Sequence, residues 1–174
     1  YSSFFQRAYD QIIHDVCIPD LPVTFCIDRA GIVGAGGETH QGILDLSFFA
    51  SIPGMTICAP KNKYELYDMM KFSLNFGHPL AIRYPRGDAY EGEQQHRAPI
   101  VCGKSEMLYE GEQVALVAVG SMVETAIQVK DYLAEAGLAA TVVNARFIKP
   151  LDTDMLDALS EKHNMIVTME ENVL

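Results

Sequence analysis

Short apolar runs rich in β-branched residues alternate with longer segments of helical periodicity along almost the whole sequence. That alternation points to an α/β architecture with parallel strands. The runs LPVTFCID (residues 21–28), MTICAP (55–60) and LAIRYP (80–85) read as strands. Ahead of them, Phe4, Ala8, Ile12 and Val16 recur at helical spacing, with Ser2 or Ser3 placed as an N-cap. KYELYDMMKFSLNF (63–76) reads as an amphipathic helix between the second and third strands. Glycines at 31, 34, 36, 37 and 42 mark a stretch after the first strand that is too long to be punctuation alone.

From Gly87 to Pro99 the sequence turns polar and loses its periodicity, as a connection between compact units should. The expected organisation is one unit over residues 1–88, a linker over 89–99 and a second α/β unit over 100–174. The second unit reads strand (KSEMLYEG), strand (VALVAVG), helix (Ser121 to Ala136), strand (AATVVNARF), helix (Thr153 to His163) and strand (MIVTMEE). Ser121 three residues before Glu124 predicts a capping box, and Gly137 predicts a C-cap. The fold class is therefore α/β, with parallel or mixed sheets flanked by helices.

Composition removes several alternatives. With 49% hydrophobic and 21% charged residues, the chain is no disordered segment. No window approaches the roughly 18 uninterrupted apolar residues of a membrane span, so no membrane role is expected. The formal charge of -10 argues against nonspecific contact with nucleic acid or anionic lipid. Residues 1–88 hold seven basic and nine acidic groups and residues 89–174 hold six and fourteen, so the acidity belongs to the second unit. Any anionic ligand then needs a local basic pocket. Cys17, Cys26, Cys58 and Cys102 show no CxxC spacing and fit a reducing cytoplasm, the expected compartment. The first residue is Tyr1, with neither a basic n-region nor an apolar h-region, and the expectation is a fragment without a signal peptide.

Candidate chemistry gathers in the first unit. Arg29 directly follows a strand, and Arg83 and Arg86 flank the end of another. Ligands of parallel α/β sheets collect at the carboxyl ends of strands, so Arg29, His40 and Arg86 can converge there on an anionic substrate. Arginine suits forked binding of phosphate or carboxylate; the alternative is that each arginine pairs with a nearby aspartate or caps a helix. His40, in GGETHQG, is either a donor to a polarised oxygen or a plain surface histidine. Tyr1, Phe4 and Arg7 recur at three-residue steps and share one helix face, which suits either a flat heterocycle or a core. No GxGxxG, Walker A, HExxH or nucleophile-elbow sequence is present, and His and Cys never cluster at ligand spacing, so no metal site is expected.

Taken in order, YSSFFQRAYDQIIHDV, LPVTFCIDRAGIVG, THQGILDLSFF, IPGMTICAPKNKYEL, LAIRYPRG, RFIKPLD and VTMEEN resemble the 1-deoxy-D-xylulose-5-phosphate synthase family across essentially the whole chain. The resemblance implies a partial transketolase-like fold: a pyrimidine-binding domain lacking its beginning and a C-terminal domain lacking its end. It implies a homodimeric enzyme that uses thiamine diphosphate to condense pyruvate with D-glyceraldehyde 3-phosphate, releasing CO2, for isoprenoid, thiamine and pyridoxal phosphate synthesis. Mg2+ would be held in a diphosphate-binding domain upstream, and the fragment alone would be inactive. By position, Tyr1 and Phe4 resemble the aromatics on the aminopyrimidine ring and Arg7 the arginine beside it. Arg29 and Arg86 resemble the pair that grips the aldehyde's phosphate, and His40 the histidine at the oxygen that develops charge as the new carbon–carbon bond forms. One departure stands out: Gly36 occupies the position of a usual Asp in the run GAGG. It raises a relative with another acceptor as an alternative, and a noncatalytic dimerisation module is a second.

Overall fold

Thr24–Ile27, inside the first apolar run, forms strand β1 in the computed structural model, which describes residues 1–173. β2 (Thr56–Cys58) and β3 (Leu80–Arg83) follow, and both β1 and β2 lie parallel to β3. β3 therefore sits between its partners and is buried at every position, as its continuous apolar sequence requires. The opening helix changes register along its length: a 3₁₀ helix over Ser2–Ala8, α1 over Tyr9–Gln11 and a π-helix over Ile12–Cys17. No serine hydroxyl caps it; Tyr1 holds the N-cap position instead. Helices α2 (Asp45–Ser51) and α3 (Lys63–Ser73) complete the first half, and Asn62 caps α3 by accepting the Glu65 N–H at 2.8 Å. The two-turn α2 was not expected from LDLSFFAS, a stretch too short to display a helical period.

In the second half, β4 (Glu106–Tyr109), β5 (Val114–Ala118), β6 (Ala140–Asn144) and β8 (Met165–Met169) form a sheet in the order β4-β6-β5-β8. β4 is antiparallel to β6, and the other pairings are parallel. α4 (Met122–Glu135) and α5 (Thr153–Lys162) accompany it. The expected α/β class, with mixed sheets and flanking helices, is what the structure shows. No helix among the described residues is long and apolar enough to cross a membrane.

Two local expectations fail for tertiary reasons. Ser121 adopts helical backbone angles and makes no capping bond; its hydroxyl donates instead to Glu171, at 2.5 Å. The run AATVVNARF is not one strand. Arg146 takes a left-handed φ of 56°, uncommon for a residue with a Cβ, and turns the chain so that β7 (Phe147–Lys149) leaves the second sheet. β7 pairs antiparallel with β2 and completes the first sheet in the order β1-β3-β2-β7. The predicted C-cap does form: Gly137 has φ 80°, its N–H donates to Ala134 O, and the Leu138 N–H reaches Leu133 O, a Schellman arrangement.

What turns the chain at Arg146 is a buried ionic network shared by both halves and the segment between them. Arg146, 2% exposed, donates from Nε to Glu65 (2.7 Å) and from Nη2 to Glu106 (2.9 Å). It also reaches the Ala98 and Pro99 carbonyls. Lys61 Nζ lies 3.1 Å from Glu65 and 2.7 Å from Glu106, while Asn144 donates to both Glu65 oxygens. Two cations thus face two carboxylates, and each of their side-chain nitrogens and oxygens has a partner, the condition under which burial of charge is tolerable.

Candidate active site

Because β1 and β3 are parallel with Ile27 opposite Arg83, their carboxyl ends lie side by side. Pairing continues past the strands: Tyr84 N–H donates to Ile27 O, and Ala30 N–H to Tyr84 O, each at 3.0 Å. The loops that carry Arg29 and Arg86 therefore leave from one end of one sheet, where parallel α/β folds gather ligands.

Five of the six candidate residues meet there. The rings of Tyr1 and Phe4 stand 4.7 Å apart, and the His40 ring approaches both edge-on, at 5.5 and 5.3 Å between centroids. Arg29 Cζ lies 4.5 Å from the Tyr1 centroid and Arg7 Cζ 5.4 Å from that of Phe4, both in cation–π range. Phe4 is 38% exposed, so this stripe is not a core face. The two rings are tilted 40° to each other, and each carries a guanidinium group over its face.

The arginines divide between the two alternatives. Arg83 is structural: it is 4% exposed and its Nε donates to buried Asp45 at 3.0 Å. Arg29 pairs with Asp28, yet remains partly exposed over Tyr1 and holds a left-handed φ of 55°. Non-glycine residues in that region are costly and cluster at binding sites. Arg86 is exposed three residues past β3, and among the described residues no ion pair or ring contact joins it to the cluster.

His40 ends a single 3₁₀ turn, Glu38–His40, and its Nδ1 lies 2.8 Å from Thr39 Oγ1. Around it the glycine-rich loop is closed at its base by Gly31 and Gly42, which exchange two backbone hydrogen bonds of 2.8 Å. Gln41, overlooked in the sequence, braces the loop from within: its Oε1 accepts the Val33 N–H at 2.7 Å and its Nε2 donates to Gly37 O at 2.8 Å. A Cβ at Gly36 would lie 3.1 Å from the His40 Cβ, so any side chain at position 36 borders the histidine.

A cavity of about 280 Å³ opens between the halves, lined by Pro60, Lys63, Tyr84, Tyr90, Ser121 and Glu124 among others, and none of the six candidates borders it. Among the described residues no three His, Cys, Asp or Glu side chains group as metal ligands.

Comparison with known proteins identifies both halves of the chain. Residues 1–91 match the transketolase pyrimidine-binding domain, and residues 103–174 match the transketolase C-terminal domain. A 1-deoxy-D-xylulose-5-phosphate synthase of Lachnoclostridium phytofermentans is 55% identical over 99% of this chain, and that of Caldanaerobacter subterraneus subsp. tengcongensis is 50% identical over 100%. The chain spans 28% of the length of each of these relatives. Among solved structures, a split-gene transketolase described as an inactive beta4 tetramer superposes with a TM-score of 0.89 at 27% identity, over 98% of this chain and 55% of that one. With both domain families matched in order and the fold shared, the chain belongs to the transketolase family and is similar to the C-terminal portion of 1-deoxy-D-xylulose-5-phosphate synthases.

Proposed function

We propose that the protein carrying this chain is a 1-deoxy-D-xylulose-5-phosphate synthase that joins pyruvate to D-glyceraldehyde 3-phosphate with loss of CO2, feeding isoprenoid, thiamine and pyridoxal phosphate synthesis. The observation that carries this reading is the meeting of Arg29 and His40 on one aromatic wall, Tyr1 and Phe4, at the carboxyl end of a parallel sheet. Thiamine diphosphate supplies, when bound, a nucleophilic carbon and an electron sink for decarboxylation. Tyr1 and Phe4 give its pyrimidine ring an aromatic flank, with Arg7 beside Phe4. Arg29 takes the phosphate of the aldehyde, a task for forked donors in an otherwise acidic chain, with Arg86, exposed on the neighbouring loop, as the second donor once substrate is bound. His40 donates a proton or hydrogen bond to the aldehyde oxygen as its carbon gains the new bond.

On this reading the Mg2+ ligands lie in the longer protein outside this chain, the assembly is a homodimer, the compartment is the cytoplasm, and the 174-residue chain is inactive alone. Kinetics of the longer protein with pyruvate and D-glyceraldehyde 3-phosphate test it. Arg29→Ala should raise KM for the aldehyde and leave that for pyruvate unchanged, whereas His40→Ala should lower kcat. No turnover of the wild-type protein with this pair refutes the assignment. A second reading, another acceptor aldehyde, draws on Gly36, which puts no polar group beside His40. If it holds, a panel of aldehydes ranks another acceptor above glyceraldehyde 3-phosphate and Gly36→Asp lowers KM for the latter; unchanged kinetics of Gly36→Asp remove this reading.

A further inference from the structure

Arg29 and His40 both hang from the loop closed by Gly31 and Gly42: Arg29 lies two residues before its base, and His40 two residues before its return. From within the loop, Gln41 is the side chain that braces it. The second half supplies more. β8 is fixed by its pairing with β5, Ala118 opposite Met169, and the chain that follows it runs onto the loop. Glu171 lies over Gly31, where a Cβ would come 2.5 Å from its Oε1, and Ser121 at the head of α4 holds the same carboxylate through Oε2. Asn172 Nδ2 donates to Ser47 Oγ at 2.6 Å, and Val173 N–H to Ile43 O at 2.9 Å. Gly31 has φ 78° and no side chain, and both properties let the carboxylate approach.

We propose that Glu171 and Asn172 are positioning residues through which the second half clamps the Arg29–His40 loop and so sets recognition of the phosphorylated aldehyde. A surface loop with few buried contacts opens locally at low cost, so outside tethers set how often it does. Displacing reacting groups by about 1 Å costs on the order of a hundredfold in rate, so the clamp has kinetic leverage. The kinetic part of this inference rests on the synthase reading; the clamp itself does not.

The test compares Glu171→Ala, Asn172→Ala and Glu171→Gln in the longer protein by amide hydrogen exchange and steady-state kinetics. Glu171→Ala takes away the carboxylate packed on Gly31, and Asn172→Ala the bond to Ser47 just past the loop; either should speed exchange at residues 31–43 about five- to tenfold, a change on the scale of one hydrogen bond. KM for glyceraldehyde 3-phosphate should rise and kcat should fall, each by a similar factor, with KM for pyruvate held within about twofold. Glu171→Gln keeps an oxygen acceptor for Ser121 and should stay close to wild type in both readouts. Unchanged exchange in the loop overturns the clamp. So does acceleration spread equally through the second sheet, or a rise in both KM values together. Should the wild-type protein fail to turn over this aldehyde, the synthase reading falls, and exchange alone decides the clamp.

Discussion

Replacing Arg146 with methionine removes a cation from a balanced set. In the wild type, Lys61 and Arg146 face Glu65 and Glu106, all four at most 6% exposed as side chains. Without the guanidinium one negative charge is left over in the interior, and the carbonyls of Ala98 and Pro99 lose their donor. Breaking a buried pair from one side costs about 3–5 kcal/mol, chiefly for the charge left behind. For a chain of this size each kcal/mol lowers Tm by about 2–4 °C, so the variant should melt roughly 6–20 °C lower. Urea unfolding followed by far-ultraviolet circular dichroism gives the free energy directly. Adding Glu106→Gln to Arg146→Met leaves Lys61 opposite Glu65 and restores neutrality, so the double variant should recover at least about 1 kcal/mol over the single one. A loss below about 1 kcal/mol for Arg146→Met, or a double variant no better than the single, would falsify the claim that charge balance holds the halves together.

The same network should make stability depend on pH. Burial raises the Glu106 carboxyl, but hydrogen bonds from Lys61 and the Ala98 N–H, with the charges of Arg146 and Lys61, outweigh it and hold the group below its ordinary value. A carboxylate lowered in this way stabilises the fold above its unfolded pKa of about 4.3, and that contribution disappears as pH falls through the folded value. Urea midpoints should therefore drop with acidification below about pH 5, less steeply in Glu106→Gln; identical slopes would contradict this. In Gly42→Ala the new methyl would run into the Arg29 carbonyl and lie 2.7 Å from Ser2 Oγ, so the loop base should be forced apart. The expected cost is about 1–3 kcal/mol in unfolding experiments, and a variant as stable as wild type would show that the base has slack. Burial raises the thiol pKa of both Cys17 and Cys58, whereas Cys26 is exposed. A thiol reagent at pH 8 should modify Cys26 first and Cys58 only on unfolding; mass spectrometry of the native protein showing early Cys58 adducts would contradict the packing.

Features set by near neighbours were legible in the sequence. Tyr1, Phe4 and Arg7 share a face because three-residue steps on a helix do so whatever surrounds them. The Gly137 stop follows from one residue's freedom to adopt positive φ, and the alternation of strands and helices from the periods of side-chain direction. Ser121 and Glu124 had the right spacing for a capping box, but spacing could not reveal that Glu171, fifty residues on, would take the serine hydroxyl. Nor could the apolar run through Phe147 show its division between two sheets, since the turn at Arg146 is fixed by Glu65 and Glu106, distant in the chain. Arg29 and His40 belong to the same class: their pattern marked them as candidates, and only the closed loop and the shared tyrosine ring brought them together. Local conformation depends on steric and hydrogen-bonding choices within a few residues, whereas buried charges and converging side chains are stabilised by partners that the chain must first fold to meet.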